Sequence, residues 1–324
     1  MSEEHRHWAD EKEVIKTNKP LKFVLILLKF IPGWLIRFFI FPVSFFFFVF
    51  SKNARQAAIE YQKQLREFSK AKGMHKPVPR KLSSYKQIAS FAFCVVEKMQ
   101  GWLGKVNFDR IQYHDDDIDD ILNLLKTGKG ALLITSHLGN MELLRSLSDY
   151  NEQLVGRDVP VYVVMDMKIN TNFTETLKSV NPKFSINVIN SVDIGPDSIV
   201  ILMEAVENGA LVVIAGDRTS AKEREKNIKV NFLGKPAPFP YGVFLIPFLM
   251  KVPVYYMFGM RSRLSLSSPK QNVYIEKSQI NFDCPRSERA SMIEKCCAEF
   301  AGKLEKFCMM YPFQWYNFFN FWDV

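Results

Sequence analysis

The chain has 324 residues, 48% hydrophobic and 14% aromatic, with 28 phenylalanines; this length and composition exclude a disordered chain and allow a sizeable core. The net charge of +9 is uneven, because residues 16–80 hold 13 Lys and Arg against only Glu60 and Glu67. A basic region interleaved with apolar residues points to an anionic membrane surface. Nucleic acid is the poorer fit, since the region carries no recognisable motif and its phenylalanines are consecutive rather than spaced for stacking.

The stretch Leu21 to Phe50, LKFVLILLKFIPGWLIRFFIFPVSFFFFVF, is the most hydrophobic part of the chain. No small-x-small site follows it, so it does not read as a cleavable signal peptide. Lys22, Lys29 and Arg37 interrupt it, and its longest uncharged piece, Phe38 to Phe50, has 13 residues. At ~1.5 Å per residue that is about 20 Å, short of a ~30 Å hydrocarbon layer. Pro32, Gly33 and Pro42 are expected to divide it into short helical pieces. Such segments with basic flanks suit a protein that dips into one leaflet, with a single span or a buried hairpin as alternatives. Ser51 is then a plausible N-cap for a helix whose Ala54, Ala57, Ala58, Tyr61, Leu65 and Phe68 recur at helical spacing. Met74 to Lys81, with two prolines, reads as a linker. The expected organisation is a membrane-associating region over 1–80 and an α/β domain over 81–324.

Beyond the linker, helical and extended patterns alternate. Helices are expected at Ile118 to Lys126, Met141 to Leu147 and Ser198 to Glu207. Strands are expected at Ala131 to Thr135, Val161 to Val164, Leu211 to Ile214, Val254 to Phe258 and Val273 to Ile275. Continuous apolar strands alternating with helices indicate a mostly parallel sheet covered on both faces. The acid run His114 to Asp120 lacks the alternating acids, glycine and closing glutamate of a calcium loop, and carboxylates suit the first turn of the following helix. The five cysteines (Cys94, Cys284, Cys296, Cys297, Cys308) form no C-x-x-C pair and read as reduced, mostly buried thiols. No bound metal or redox cofactor is implied.

Of the five histidines only His137 follows a strand, the place where α/β proteins put reacting groups. Gly139 permits a tight turn, Asn140 is a suitable N-cap, and Glu142 then falls in a first helical turn. A carboxylate facing an imidazole nitrogen fixes its tautomer and stabilises the imidazolium formed on proton uptake. His137 is therefore a candidate general base and Glu142 its orienter, the two brought together by a strand-to-helix corner. Ser136 is adjacent but points to the opposite face.

The segment SHLGNME (Ser136 to Glu142) resembles the H-x-x-x-x-D/E signature of the lysophospholipid acyltransferase superfamily, in the glutamate form typical of bacterial lipid A late acyltransferases. VVIAGDRTS (Val212 to Ser220), NFLGKPAPFPYGVFLIPFLMKVPVYYMF (Asn231 to Phe258) and YPFQWYNFFNFW (Tyr311 to Trp322) are similar to further blocks of that group, the last to a subgroup of predicted acyltransferases. The resemblance implies a glycerolipid acyltransferase-like α/β fold on the cytoplasmic face of a bacterial inner membrane. It also implies transfer of an acyl chain from an acyl carrier protein or coenzyme A thioester to a hydroxyl or amine of a lipid or glycolipid. Gly139, Asn140, Asp217, Arg218, Thr219 and Gly234 would serve substrate binding, with Arg218 on an anionic group and Asp217 holding Arg218, unless those two form a structural ion pair. The E-G-T-R of glycerolipid enzymes is replaced here by Gly216 to Thr219, which leaves the acceptor open; a small or aromatic acceptor of polyene-pigment type and a catalytically silent membrane adaptor are the alternatives.

Overall fold

The computed structural model describes residues 28, 30–103, 105, 108–114, 117–143, 155–165, 187–218 and 226–322. Among them are helices α1 (Gly33–Phe50), α2 (Lys52–Ala71), α3 (Ser84–Trp102), α4 (Asp117–Lys126), α5 (Pro196–Glu207), α6 (Tyr241–Met250) and α7 (Arg289–Met310). The strands are β1 (Ile111–His114), β2 (Ala131–Thr135), β3 (Val161–Met165), β4 (Asn187–Asn190), β5 (Leu211–Ala215), β6 (Asn227–Phe232), β7 (Lys235–Pro240), β8 (Val254–Arg261) and β9 (Gln271–Lys277). Seven strands make one sheet in the order β1-β9-β8-β2-β5-β3-β4, and β6 and β7 form a separate hairpin. Strands β8, β2, β5, β3 and β4 run parallel. Strand β9 is antiparallel to β8 and carries β1 parallel to itself. The sheet is thus mixed and mostly parallel, flanked by helices.

Both faces of the sheet are covered, as continuous apolar strands require. Leu132 and Ile134 of β2 join a core with Phe244 of α6 and Phe300, Leu304 and Phe307 of α7. Ala131 and Leu133, pointing the other way, pack with Ile121 and Leu125 of α4. Helix α7 buries Ile293, Cys297, Phe300, Leu304 and Phe307, a spacing of three and four residues that makes one apolar stripe. Burying each such phenylalanine contributes roughly 1.5–3 kcal/mol. Helix α2 adds Tyr61 and Leu65 to this same core, so residues 52–71 pack on the sheet-bearing body.

The expected division of the N-terminal apolar run does not occur at Pro42, which lies inside α1. Proline removes its own N–H donor, but α1 is held along its length by α3. Phe41 meets Phe93 edge-on at 5.3 Å, Phe45 and Phe48 pack around Tyr85, and the Tyr85 hydroxyl donates to the Phe41 carbonyl. Arg37, Ile40 and Ser44 face the body, whereas Phe38, Phe39, Phe45, Phe46, Phe47 and Phe50 are more than half exposed. Arg55 donates to the Phe48 and Val49 carbonyls, neutralising the helix's C-terminal end. Among the described residues, α1 is the one helix long and apolar enough to cross a membrane; its 18 residues measure about 27 Å.

The acid run plays a structural part where it is described. Asp117 accepts from the Lys277 backbone N–H, and Asp120 accepts from the Tyr255 hydroxyl and pairs with Lys277; Asp115 and Asp116 lie outside the described residues. No group of side chains suited to a metal ion occurs among the described residues. Four of the five cysteines are buried and all are free thiols. The helix expected at Met141 to Leu147 is a single 3-10 turn at Met141–Leu143, with 144–147 outside the described residues.

Candidate active site

Strands β2 and β5 are neighbours at the centre of the sheet, in a parallel register that aligns Ala131 with Leu211 and Thr135 with Ala215. Two residues further along each chain, at the carboxyl ends, stand His137 and Asp217. The register therefore sets them opposite each other. The Asp217 carboxylate accepts the His137 backbone N–H at 2.9 and 3.0 Å, His137 Nδ1–H at 2.8 Å, and Trp315 Nε1–H at 3.0 Å.

This clamp decides the tautomer. An ionised carboxylate only accepts, so Nδ1 carries the imidazole's proton and Nε2 presents its lone pair. Asp217 is 1% exposed, while the His137 side chain is 27% exposed. Burial works against the Asp217 charge, but the facing His137, Arg218 and the Trp315 N–H outweigh it and hold its pKa below the usual carboxylate range. For His137, burial comes first and the nearby Arg218 second; together they push its pKa down, against the opposing pull of Asp217. An anionic Asp217 beside a neutral His137 is the state these directions give at neutral pH.

The backbone after His137 turns sharply. Gly139 has φ +76, and a Cβ there would stand 2.0 Å from the Gly259 carbonyl oxygen, so both the left-handed conformation and the close approach to β8 require glycine. Gly139 N–H donates to the Gln314 carbonyl and Asn140 N–H to the Gly259 carbonyl. The turn is thus tied to β8 on one side and to the C-terminal segment on the other. Ser136 is fully buried, and its Oγ accepts from the Leu138 N–H at 3.1 Å, which removes it as a nucleophile beside His137.

The C-terminal segment after α7 locks the corner. Tyr316 N–H donates to the His137 carbonyl, and Arg218 donates to the Tyr316 carbonyl at 3.0 Å. The Gln314 side chain accepts from the Arg261 N–H and donates to the Arg261 carbonyl. Gln87 of α3 donates to the Trp315 carbonyl at 2.7 Å. Trp315 itself is fully buried, edge-on to Tyr61, Phe232 and Phe321. The contributions of Gln314, Trp315 and Tyr316 are not predicted from the sequence; the only signal is the amides Gln314, Asn317 and Asn320 set within a mostly aromatic run.

Of the residues expected at the site, His137, Gly139, Asn140, Asp217 and Arg218 meet around this corner. Asp217 takes the imidazole Nδ1–H, the position that the sequence assigns to Glu142, and its oxygens face His137 and Trp315. The Glu142 backbone lies in the turn Met141–Leu143, and its side chain lies outside the described residues, as does Thr219. Gly234 sits in the two-residue turn of the β6–β7 hairpin. Leu233 and Gly234 both have positive φ there, 52° and 82°, as a type I′ turn demands. The leucine is held by Gln64, which donates to its carbonyl, and by Glu305, which accepts its N–H. His114 Nε2–H donates to the Asn272 side-chain oxygen and the ring stacks on Tyr274, away from this corner.

No protein-family model matches the chain, and no curated protein matches it.

Proposed function

We propose that this protein is a membrane-attached acyltransferase that moves a fatty acyl chain from an acyl carrier protein or coenzyme A thioester to a hydroxyl or amine of a lipid or glycolipid. The observation that carries the reading is the His137 Nδ1–H held on a buried Asp217, with the His137 side chain itself 27% exposed. In this reading Nε2 takes the proton of the acceptor hydroxyl as its oxygen attacks the thioester carbonyl. The tetrahedral adduct collapses with rupture of the C–S bond, and the imidazolium returns the proton to the departing thiolate. Asp217 keeps its charge throughout and stabilises the imidazolium. In this reading Arg218, beside the pair and bonded to the Tyr316 carbonyl, also meets an anionic group of either substrate. Among the described residues the one side chain bonded to the imidazole is the Asp217 carboxylate, and the proposed reaction is therefore direct transfer rather than passage through a covalent acyl-enzyme.

The exposed apolar face of α1 supports attachment in one leaflet. Helix α1 is fastened lengthwise to α3, which carries Glu97 and Lys98. A perpendicular span would draw those charges into hydrocarbon, at a cost of several kcal/mol. Lying along the interface, α1 immerses its phenylalanines and leaves the exposed lysines Lys52, Lys63 and Lys70 of α2 for anionic headgroups.

The deciding experiment compares lipids from cells expressing the wild type with those expressing His137→Ala, by mass spectrometry, alongside thiol release from acyl-coenzyme A and acyl carrier protein by the purified protein. A new acylated lipid with the wild type alone is expected. A folded His137→Ala protein that acylates at the wild-type rate refutes the assignment.

A further inference from the structure

Beside the His137 turn lies a cleft walled by Arg37 of α1, Glu97 and Gln100 of α3, Lys105, Arg110 and Gln271, with Asn140 and Leu143 of the turn closing one side. Its charges do not cancel. The Glu97 carboxylate is already engaged by Arg261, through Nε at 2.8 Å and Nη2 at 3.1 Å. Arg37 is only 8% exposed, yet the bond recorded for its guanidinium goes to a neutral hydroxyl, Ser268 Oγ, at 2.9 Å. Glu97 attracts it across the cleft, while Arg261 and Arg110 both repel it. Arg110 donates to the Ser268 carbonyl, again a neutral group. A buried guanidinium that shares its one carboxylate with Arg261 is short of counter-charge, and planar forks of this kind match phosphate oxygens. Gln271 adds a buried carboxamide oxygen without a hydrogen-bond partner; a P–OH donates to it, and the rotated amide donates to P–O.

We infer that this cleft binds the phosphate of a membrane lipid headgroup. The lipid source follows from position: Arg37 projects from α1 toward the body, on the helix whose opposite face presents the exposed phenylalanines. A headgroup entering from the leaflet meets Arg37, Arg110 and Lys105 next to the turn that carries His137. The binding claim stands apart from acyl transfer, so an inactive protein leaves it intact.

The test is titration calorimetry of the full chain in neutral detergent, with dihexanoyl phosphatidic acid, dihexanoylglycerol and coenzyme A as three separate probes. Saturable binding of the phosphatidic acid is expected, with none of the phosphate-free diacylglycerol. Arg37→Gln should weaken it roughly tenfold or more, as loss of a charge-assisted bond implies, and the exposed Arg110→Gln should weaken it several-fold while melting like the wild type. Should Arg37→Gln fail to fold, Arg110→Gln still decides. Unchanged affinity in Arg110→Gln, or no binding of phosphatidic acid, overturns the site. Binding of coenzyme A alone, lost in Arg110→Gln, assigns the phosphate to the acyl donor and overturns the lipid source.

Discussion

Asp217 receives both the backbone N–H and the Nδ1–H of His137, two residues past the ends of adjacent parallel strands. One carboxylate therefore sets the position of the main chain and the tautomer of the ring together. Asp217→Asn replaces an acceptor with a group that donates from one end. We expect kcat/KM to fall by roughly two to four orders of magnitude. Glu142→Gln should cost less, because Nδ1 has one hydrogen and Asp217 holds it. Steady-state kinetics of the two variants side by side test this, and a larger loss in Glu142→Gln gives the role back to Glu142.

The pH profile should carry the same signature. Burial and Arg218 lower the His137 pKa, so the acid limb of kcat/KM should have its midpoint below the ordinary histidine value of about 6.5. Arg218→Gln removes a repelling charge and should move the midpoint up; Asp217→Asn removes an attracting one and should move it down. The stability sign follows. A lowered histidine pKa contributes stability fully above about pH 6.5, lost as pH falls through the folded value. The lowered Asp217 pKa contributes above about pH 4 and is lost in stronger acid. Urea melts between pH 3 and 8 read both.

Gly139→Ala places a Cβ against the Gly259 oxygen at a positive φ. The change should destabilise by about 2–4 kcal/mol, the sum of backbone strain and overpacking. Gly73→Ala is the control: φ is +74 there, but nothing lies within 4 Å of the added carbon. Its cost should be about 1 kcal/mol. Equal losses in denaturant melts would contradict the close approach.

Trp315→Phe keeps most of the buried ring and deletes the N–H that Asp217 accepts at 3.0 Å. A stability loss of about 1–3 kcal/mol is expected, together with a roughly tenfold fall in kcat and little change in KM. If the indole only fills space, melting temperature moves and kcat does not.

The exposed face of α1 is tested by the double change Phe46→Ser and Phe47→Ser. Both side chains are more than half exposed, so stability should change by less than about 0.5 kcal/mol. Flotation with anionic vesicles should drop severalfold. Flotation equal to the wild type would leave α1 without a membrane role.

Much of the sheet was legible because its signal is local. Ala131 to Ile134 and Leu211 to Ile214 are unbroken apolar runs between helical periods, and that pattern alone marks them as buried parallel strands. The same is true of His137, a polar residue set where an apolar run stops, and of Gly139. Proline in Pro42 misled for a physical reason: chain-local propensity predicts a break, and packing on α3 overrides it. Helices α3, α6 and α7, strands β1 and β4 and the β6–β7 hairpin were not predicted as elements.

Which carboxylate faces the imidazole is a different kind of question. Glu142 is five residues away and Asp217 eighty, and sequence proximity favours the first. Strand register favours the second, since pairing Thr135 with Ala215 carries His137 to Asp217 whatever the length of chain between them. The Trp315 bond likewise depends on α7 returning the last residues across the sheet to the corner. The sequence by itself determined five strands of the sheet, the histidine at the end of one of them and the apolar, basic N-terminal region. The tertiary structure decided the partner of that histidine, because hydrogen bonds between distant segments are selected by packing and register rather than by spacing along the chain.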